Sequence, residues 1–165
     1  MGKLLDEIDW ALFERSPAVE ALRRVRLRYP GYFTGRTALA FWCASTEEAV
    51  PIRVATNFID AEVDGVLYVF MPDDLYFGYV RVGGVDVARP EKALFDEFWA
   101  AERLGIWPVD PDDVLWERLD PEEAARVLVR MGRDMLRYIP PGDVRTRERD
   151  LFREAVLRAL EAVGP

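Results

Sequence analysis

Asp60-Ala61-Glu62 is the pattern in this chain best suited to holding a metal ion. Side chains alternate along a strand, so two acids separated by one residue share a face and could share a divalent cation. The same alternation puts Ile59, Ala61 and Val63 on the opposite face, which equally describes the solvent-facing edge of a hairpin. A second pattern is cationic. Arg23, Arg24, Arg26 and Arg28 fall within six residues and could grip phosphate or an acidic partner, with Leu27 among them as an apolar contact; a solvated face paired with the chain's own carboxylates looks the same. Asp73-Asp74 and the acids at Asp110, Asp112 and Asp113 stand beside prolines, as residues of loops and helix starts do. The chain contains no histidine, which removes Ser-His-Asp and Cys-His catalysis, His-ligated zinc and any imidazole acid or base. Cys43, the single cysteine, follows Phe41 and Trp42 and reads as an inert core thiol.

Composition bounds what these residues can serve. A chain of 165 residues, half of them apolar, matches one domain able to bury its own core without a metal or disulfide staple. No apolar run approaches the roughly 20 residues a membrane span needs. One cysteine allows no internal disulfide, and Met1–Glu7 has no continuous apolar stretch, so the expectation is a cytoplasmic protein without a secretory leader. A net charge of −8 opposes a broad nucleic-acid surface, because binding a polyanion rests on neutralising phosphates. Glutamine is absent, asparagine occurs only at Asn57, and every cation but Lys3 and Lys92 is arginine. Such a composition fits a hot-living source, and a GC-rich genome gives the same arginine bias.

The elements that must position these residues fall into three stretches. Residues 1–31 read as a helical lead. Leu5, Ile8 and Leu12 mark one helix, and Ser16-Pro17 caps and starts a second that carries Ala18, Leu22, Val25 and Tyr29 until Pro30-Gly31 ends it. Residues 32–105 form an α+β core. Thr34 caps a helix with Ala38, Leu39, Phe41 and Trp42, and strands follow at Ile52–Thr56, Ile59–Val63, Val66–Phe70 and Tyr76–Val82. Asp64-Gly65 and Gly83-Gly84 have the two-residue spacing of tight hairpin turns. Val85 and Val87 then lead into a helix from Pro90, with Leu94, Phe95, Phe98 and Ala101 on its inner face and Glu91, Lys92, Asp96, Glu97 and Glu102 on the other. Residues 106–165 form a helical tail within the same compact unit. Asp110-Pro111 and Asp120-Pro121 start helices, Ala124, Leu128, Met131, Met135 and Tyr138 make one stripe, and Phe152, Val156, Leu160 and Val163 another. The expected fold is therefore α+β: a small antiparallel sheet of hairpins, packed helices and a C-terminal helical tail.

From Pro51 to Trp99 the chain resembles the core of the AbiEi family of antitoxins and transcriptional regulators, from abortive-infection type IV toxin-antitoxin systems. The order agrees as well as the content. A helix with Thr37-Ala38-Leu39 precedes the strand Ile52-Arg53-Val54-Ala55-Thr56, then the aromatic-glycine-aromatic Phe77-Gly78-Tyr79, then Val87-Ala88-Arg89-Pro90-Glu91-Lys92-Ala93-Leu94-Phe95-Asp96. The resemblance implies an antitoxin-like module that counters a nucleotidyltransferase-like toxin, without a tight complex between the two. Family members carry an N-terminal winged helix-turn-helix, which needs three helices and a two-stranded wing. The 31 residues before Tyr32 suffice for two helices and no wing, so promoter binding is not implied.

A different class also has footing. Nucleotidyltransferases place a glycine-containing turn before a helix and an acid-x-acid pair on a later strand to hold Mg²⁺ and a triphosphate. Thr34-Gly35-Arg36-Thr37-Ala38-Leu39 resembles that turn and Asp60/Glu62 that pair, but Arg36 replaces the second glycine and the gap to Asp60 is too long. The sequence therefore reads as a non-enzymatic regulatory module with no catalytic, cofactor-binding or metal-binding residues. Its candidate contacts to a partner or, weakly, to nucleic acid are Arg23, Arg24, Arg26, Leu27 and Arg28.

Overall fold

Local chemistry starts and stops most elements of the computed structural model, which describes residues 17–139 and 147–164. The first expected helix, with Leu5, Ile8 and Leu12, lies outside the described residues. The elements in order are α1 (Pro17–Arg24), β1 (Tyr32–Phe33), α2 (Gly35–Phe41), β2 (Ile52–Thr56), β3 (Ala61–Val63), β4 (Val66–Phe70), β5 (Tyr79–Val82), β6 (Val85–Ala88), α3 (Pro90–Leu104), α4 (Pro121–Met131) and α5 (Arg147–Val163). Short 3₁₀ turns occupy Asp73–Leu75, Pro111–Asp113, Trp116–Arg118 and Arg133–Tyr138. Pro90 takes the first position of α3, and Gly105, left-handed at φ 67°, closes it. Asp120 accepts the Glu122 N–H to cap α4. Both hairpin turns carry positive φ at their two central residues, Asp64-Gly65 and Gly83-Gly84, as the type I′ geometry requires.

The α+β class is as the sequence implies, but the sheet is mixed and not simply antiparallel. Its order is β3-β4-β2-β1-β6-β5. The hairpins β3/β4 and β5/β6 are antiparallel, as is β1/β2, whereas β2 runs parallel to β4 and β1 parallel to β6. The chain leaves β2, passes the end of β4 and lays β3 on the far side, so β4 returns parallel to β2. Strand β1 joins the two halves through only two residues, too short a run for an alternation pattern to reveal. Helices α2 and α3 pack on each other and on the sheet, α4 packs on α3, and α5 on α4. No helix among the described residues is long and apolar enough to cross a membrane.

Three further expectations need correction. The second helix ends at Arg24 and not at Tyr29. From Val25 the chain is irregular and bends at Arg28 and Tyr29, with Val25, Leu27 and Tyr29 packed against the core and Arg26 and Arg28 exposed between them. Tyr29 meets Tyr68 edge-on at 5.1 Å, and the Arg28 N–H donates to the Tyr68 hydroxyl at 2.8 Å; these contacts outweigh a helical propensity worth only tenths of a kcal/mol per residue. Helix α4 stops at Met131, where Gly132 adopts φ 125°, and a 3₁₀ stretch carries Met135 and Tyr138. Cys43 is exposed: it follows the last turn of α2 at φ 57°, while its neighbours Trp42 and Ala44 are buried.

Candidate functional site

The charged side of α3 is the largest departure from the sequence reading, because it faces protein and not water. Glu91, Lys92, Asp96 and Glu97 are all buried, so each charge must find a partner inside. Three linked groups of contacts meet that need.

Lys92 and Asp96, one helical turn apart, form a buried ion pair. The Lys92 ammonium also donates to the Tyr32 hydroxyl at 3.0 Å. Asp96 accepts from that hydroxyl at 3.0 Å and from Thr34 Oγ1 at 2.6 Å, so Thr34 precedes α2 yet gives its hydroxyl to α3. The Lys92 ammonium lies 4.7 Å from the centre of the Phe77 ring, a cation–π distance. Gly78 holds φ 79°, and a Cβ there would meet Lys92 Cγ at 2.8 Å; glycine lets the strand close over the lysine stem. Tyr79 stacks on Tyr32 at 4.8 Å. Phe77-Gly78-Tyr79 and the Pro90–Asp96 run are therefore two sides of one contact. Burial lowers the Lys92 pKa against the opposing pull of Asp96, and raises that of Tyr32, with Asp96 adding to the rise.

Glu97 anchors the second group. Arg53 of β2 lies 2.6 Å from its carboxylate and Arg36 of α2 at 3.7 Å, and Glu97 accepts the Val109 N–H at 3.0 Å. Both arginines reach on to the Trp107 carbonyl, at 3.4 and 3.5 Å. Burial raises the Glu97 pKa and Arg53 pulls it back. Thr37 completes the joint, donating to the Ala49 carbonyl at 2.6 Å and accepting the Arg53 N–H at 2.9 Å.

Glu91 makes the third link, accepting the Asp120 N–H at 2.8 Å where α4 begins. Its pKa is pushed up to about 7, by burial first and then by the charges of Asp120 and Glu123, against its backbone hydrogen bonds. Glu123 is itself paired with Arg89 at 3.6 Å. The unfolded chain ionises this carboxyl near pH 4.5 while the folded protein keeps the proton until about 7. The stabilisation is thus complete below 4.5 and is lost as pH rises through 7. Between pH 5 and 8 the wild-type protein should lose on the order of 3 kcal/mol relative to Glu91→Gln, whose amide oxygen can still accept the Asp120 N–H. Denaturant unfolding of both proteins across that range measures it, and parallel pH profiles would refute it.

Chemically, this network joins elements and presents no reactive group. Lys92 has no exposed surface, and two open cavities, of about 240 and 500 Å³, lie on the tail and are lined by none of these residues. One signal in the sequence points to it: Lys92 is a lysine in a chain of arginines, and its compact ammonium is the group that meets Tyr32, Asp96 and the Phe77 ring. Tyr32, Thr34, Arg53 and Glu97 carried no such signal.

The residues singled out from sequence are scattered. Asp60 is not on β3 but in the loop before it, where its carboxylate caps the Phe70 N–H at 2.6 Å and takes Arg103 at 2.9 and 3.1 Å. Glu62 is exposed on β3, and Ile59 is exposed instead of joining Ala61 and Val63. The two acids do not converge, and among the described residues no group of three potential ligands could hold a metal ion. Arg23 donates to the Gly83 carbonyl at 2.7 Å and lies 3.7 Å from Glu20, as does Arg24. Arg28 is 3.9 Å from Asp64, and Arg26 is exposed. Leu27 packs inward and is not the apolar contact of an arginine surface. No family model, curated protein or solved structure matches the chain.

Proposed function

We propose that this protein is a regulatory interaction module of the AbiEi antitoxin type, countering a nucleotidyltransferase-like toxin in the cytoplasm without catalysing a reaction itself. One observation carries the reading. The residues of the AbiEi resemblance, Phe77-Gly78-Tyr79 and the run from Arg89 to Asp96, are engaged with one another and with β1 through the buried Lys92. A signature whose residues are internal ties specifies a scaffold, and a scaffold acts through its surface. Asp60, the first acid of the enzymatic alternative, is held by Arg103 and the Phe70 N–H, an arrangement that suits a loop brace.

Growth rescue tests the proposal. Induced beside a nucleotidyltransferase-like toxin encoded next to its gene, the protein should restore growth, while the purified protein with Mg²⁺ and nucleoside triphosphates should transfer nothing. Nucleotide transfer that disappears in a folded Asp60→Ala, Glu62→Ala variant would replace this reading with the enzymatic one. Duplex DNA should bind weakly, with a log–log salt slope of roughly −2 to −4 for two to four phosphate contacts. Tight, sequence-dependent binding lost in Arg24→Ala, Arg28→Ala would add a promoter-binding role.

A further inference from the structure

Trp107 is 88% exposed, more than any other large apolar side chain described. An exposed tryptophan on a loose loop would mean little, but this loop is fixed. Its carbonyl accepts from Arg36 and Arg53, both paired with buried Glu97. Two residues on, the N–H of buried Val109 donates to Glu97, and that of Asp110 to Glu47 Oε1 at 3.3 Å. The indole is therefore displayed on a backbone braced to the core, so little ordering remains to be done on contact. Tryptophan is also the residue type most enriched where protein interfaces concentrate their binding energy.

The surroundings select the partner. The Thr46 N–H donates to the Asp113 carbonyl at 2.8 Å, which lays residues 46–48 beside 110–113 at the foot of the loop. Glu48, Asp110 and Asp112 are exposed there. Asp112 lies 3.8 Å from Arg149, whereas Arg36 and Arg53 point inward at Glu97 and the Trp107 carbonyl, which leaves Glu48 and Asp110 as the acids there with no ion pair among the described residues. An exposed indole on a loop with acids at its foot attracts a guanidinium or ammonium group through the ring and the acids together, and those acids repel nucleic acid and anionic lipid.

We infer that Trp107 anchors a docking surface for an arginine- or lysine-rich segment of another protein. This inference goes beyond the toxin-countering role and stands without it. The test uses the full chain and a fluorescein-labelled nona-arginine peptide, followed by anisotropy at two salt concentrations. Trp107→Ala, which removes no buried side chain, should weaken binding about tenfold, as losing a partly desolvated cation–π contact does. Glu48→Gln with Asp110→Asn should weaken binding and flatten its salt dependence, since asparagine can still cap the Asp112 N–H. The control Glu154→Gln with Glu161→Gln, two exposed acids on α5, removes the same charge and should change binding less than twofold. Three results overturn the proposal, two of them in the binding data: wild-type binding by Trp107→Ala, or equal losses in the Glu48→Gln, Asp110→Asn variant and the control, which would mean diffuse attraction to an acidic protein. Sedimentation showing a dimer that Trp107→Ala dissolves, with peptide binding unchanged, would also overturn it and make a second copy of the chain the occupant.

Discussion

Asp96→Ala should lower the unfolding free energy by about 3–5 kcal/mol, the range for removing one partner of a buried ion pair. The change leaves the Lys92 ammonium without a carboxylate, in a position with no solvent contact. It also deprives the Tyr32 and Thr34 hydroxyls of their acceptor. Replacing both charges, Lys92→Met with Asp96→Leu, should recover the part of the loss owed to the orphaned charge but not the part owed to the Tyr32 and Thr34 hydroxyls, which still lack their acceptor. A pH signature separates this cause from simple loss of packing. Burial already lowers the Lys92 pKa, and without Asp96 the depression deepens. The folded variant then binds fewer protons than the unfolded chain, so its stability rises with pH up to the ordinary lysine range. Chemical denaturation of the single variant from pH 7 to 10 should show that rise. A loss under about 1 kcal/mol would mean that the lysine reaches water.

Phe98→Ala should cost a similar amount, about 3–5 kcal/mol, as expected for deleting a fully buried ring whose cavity cannot collapse. Phe98 is 1% exposed, stacks on Tyr138 at 4.9 Å and meets Phe95 edge-on at 6.0 Å. It therefore ties α3 to the tail as well as filling the core. Phe98→Leu should lose markedly less, because it retains most of the apolar volume. Equal losses for the two would place the ring's importance in the aromatic stack with Tyr138.

What the sequence disclosed is what neighbours along the chain decide. Pro90, Gly105, Asp120 and the two hairpin turns act within a few residues, and each element starts or turns where they stand. The polar side of α3 was out of reach for a physical reason. Charges at helical spacing mark a face that needs polar company, and in the sequence water or buried hydroxyl, arginine and backbone N–H partners satisfy that need equally well. Only the placement of Tyr32, Thr34 and Arg53 against it decides. The end of α1 was closer to legible, since Val25, Leu27 and Tyr29 fit a period of two as well as Leu22, Val25 and Tyr29 fit a helix. The exposure of Trp107 depends on the whole surface and leaves no mark in its own neighbours along the chain.

The two-residue strand β1 has a kinetic consequence. The hairpins β3/β4 and β5/β6 close over two-residue turns, so each can form as soon as its own residues are available. Strand β1 alone joins the two halves, through Phe33 opposite Val87 on one side and Tyr32 opposite Ala55 on the other. On the ribosome it emerges first yet must wait for β6, more than fifty residues later, before the sheet can be completed. Until then its edge toward β6 is unsatisfied, even when β2 has paired with the other, and Tyr32 has neither Lys92 nor Asp96 to receive it. Sheet closure and burial of the charged pair are thus one late event, and the amide protons that bond β1 to β6 should gain protection after those that bond strands within the two hairpins.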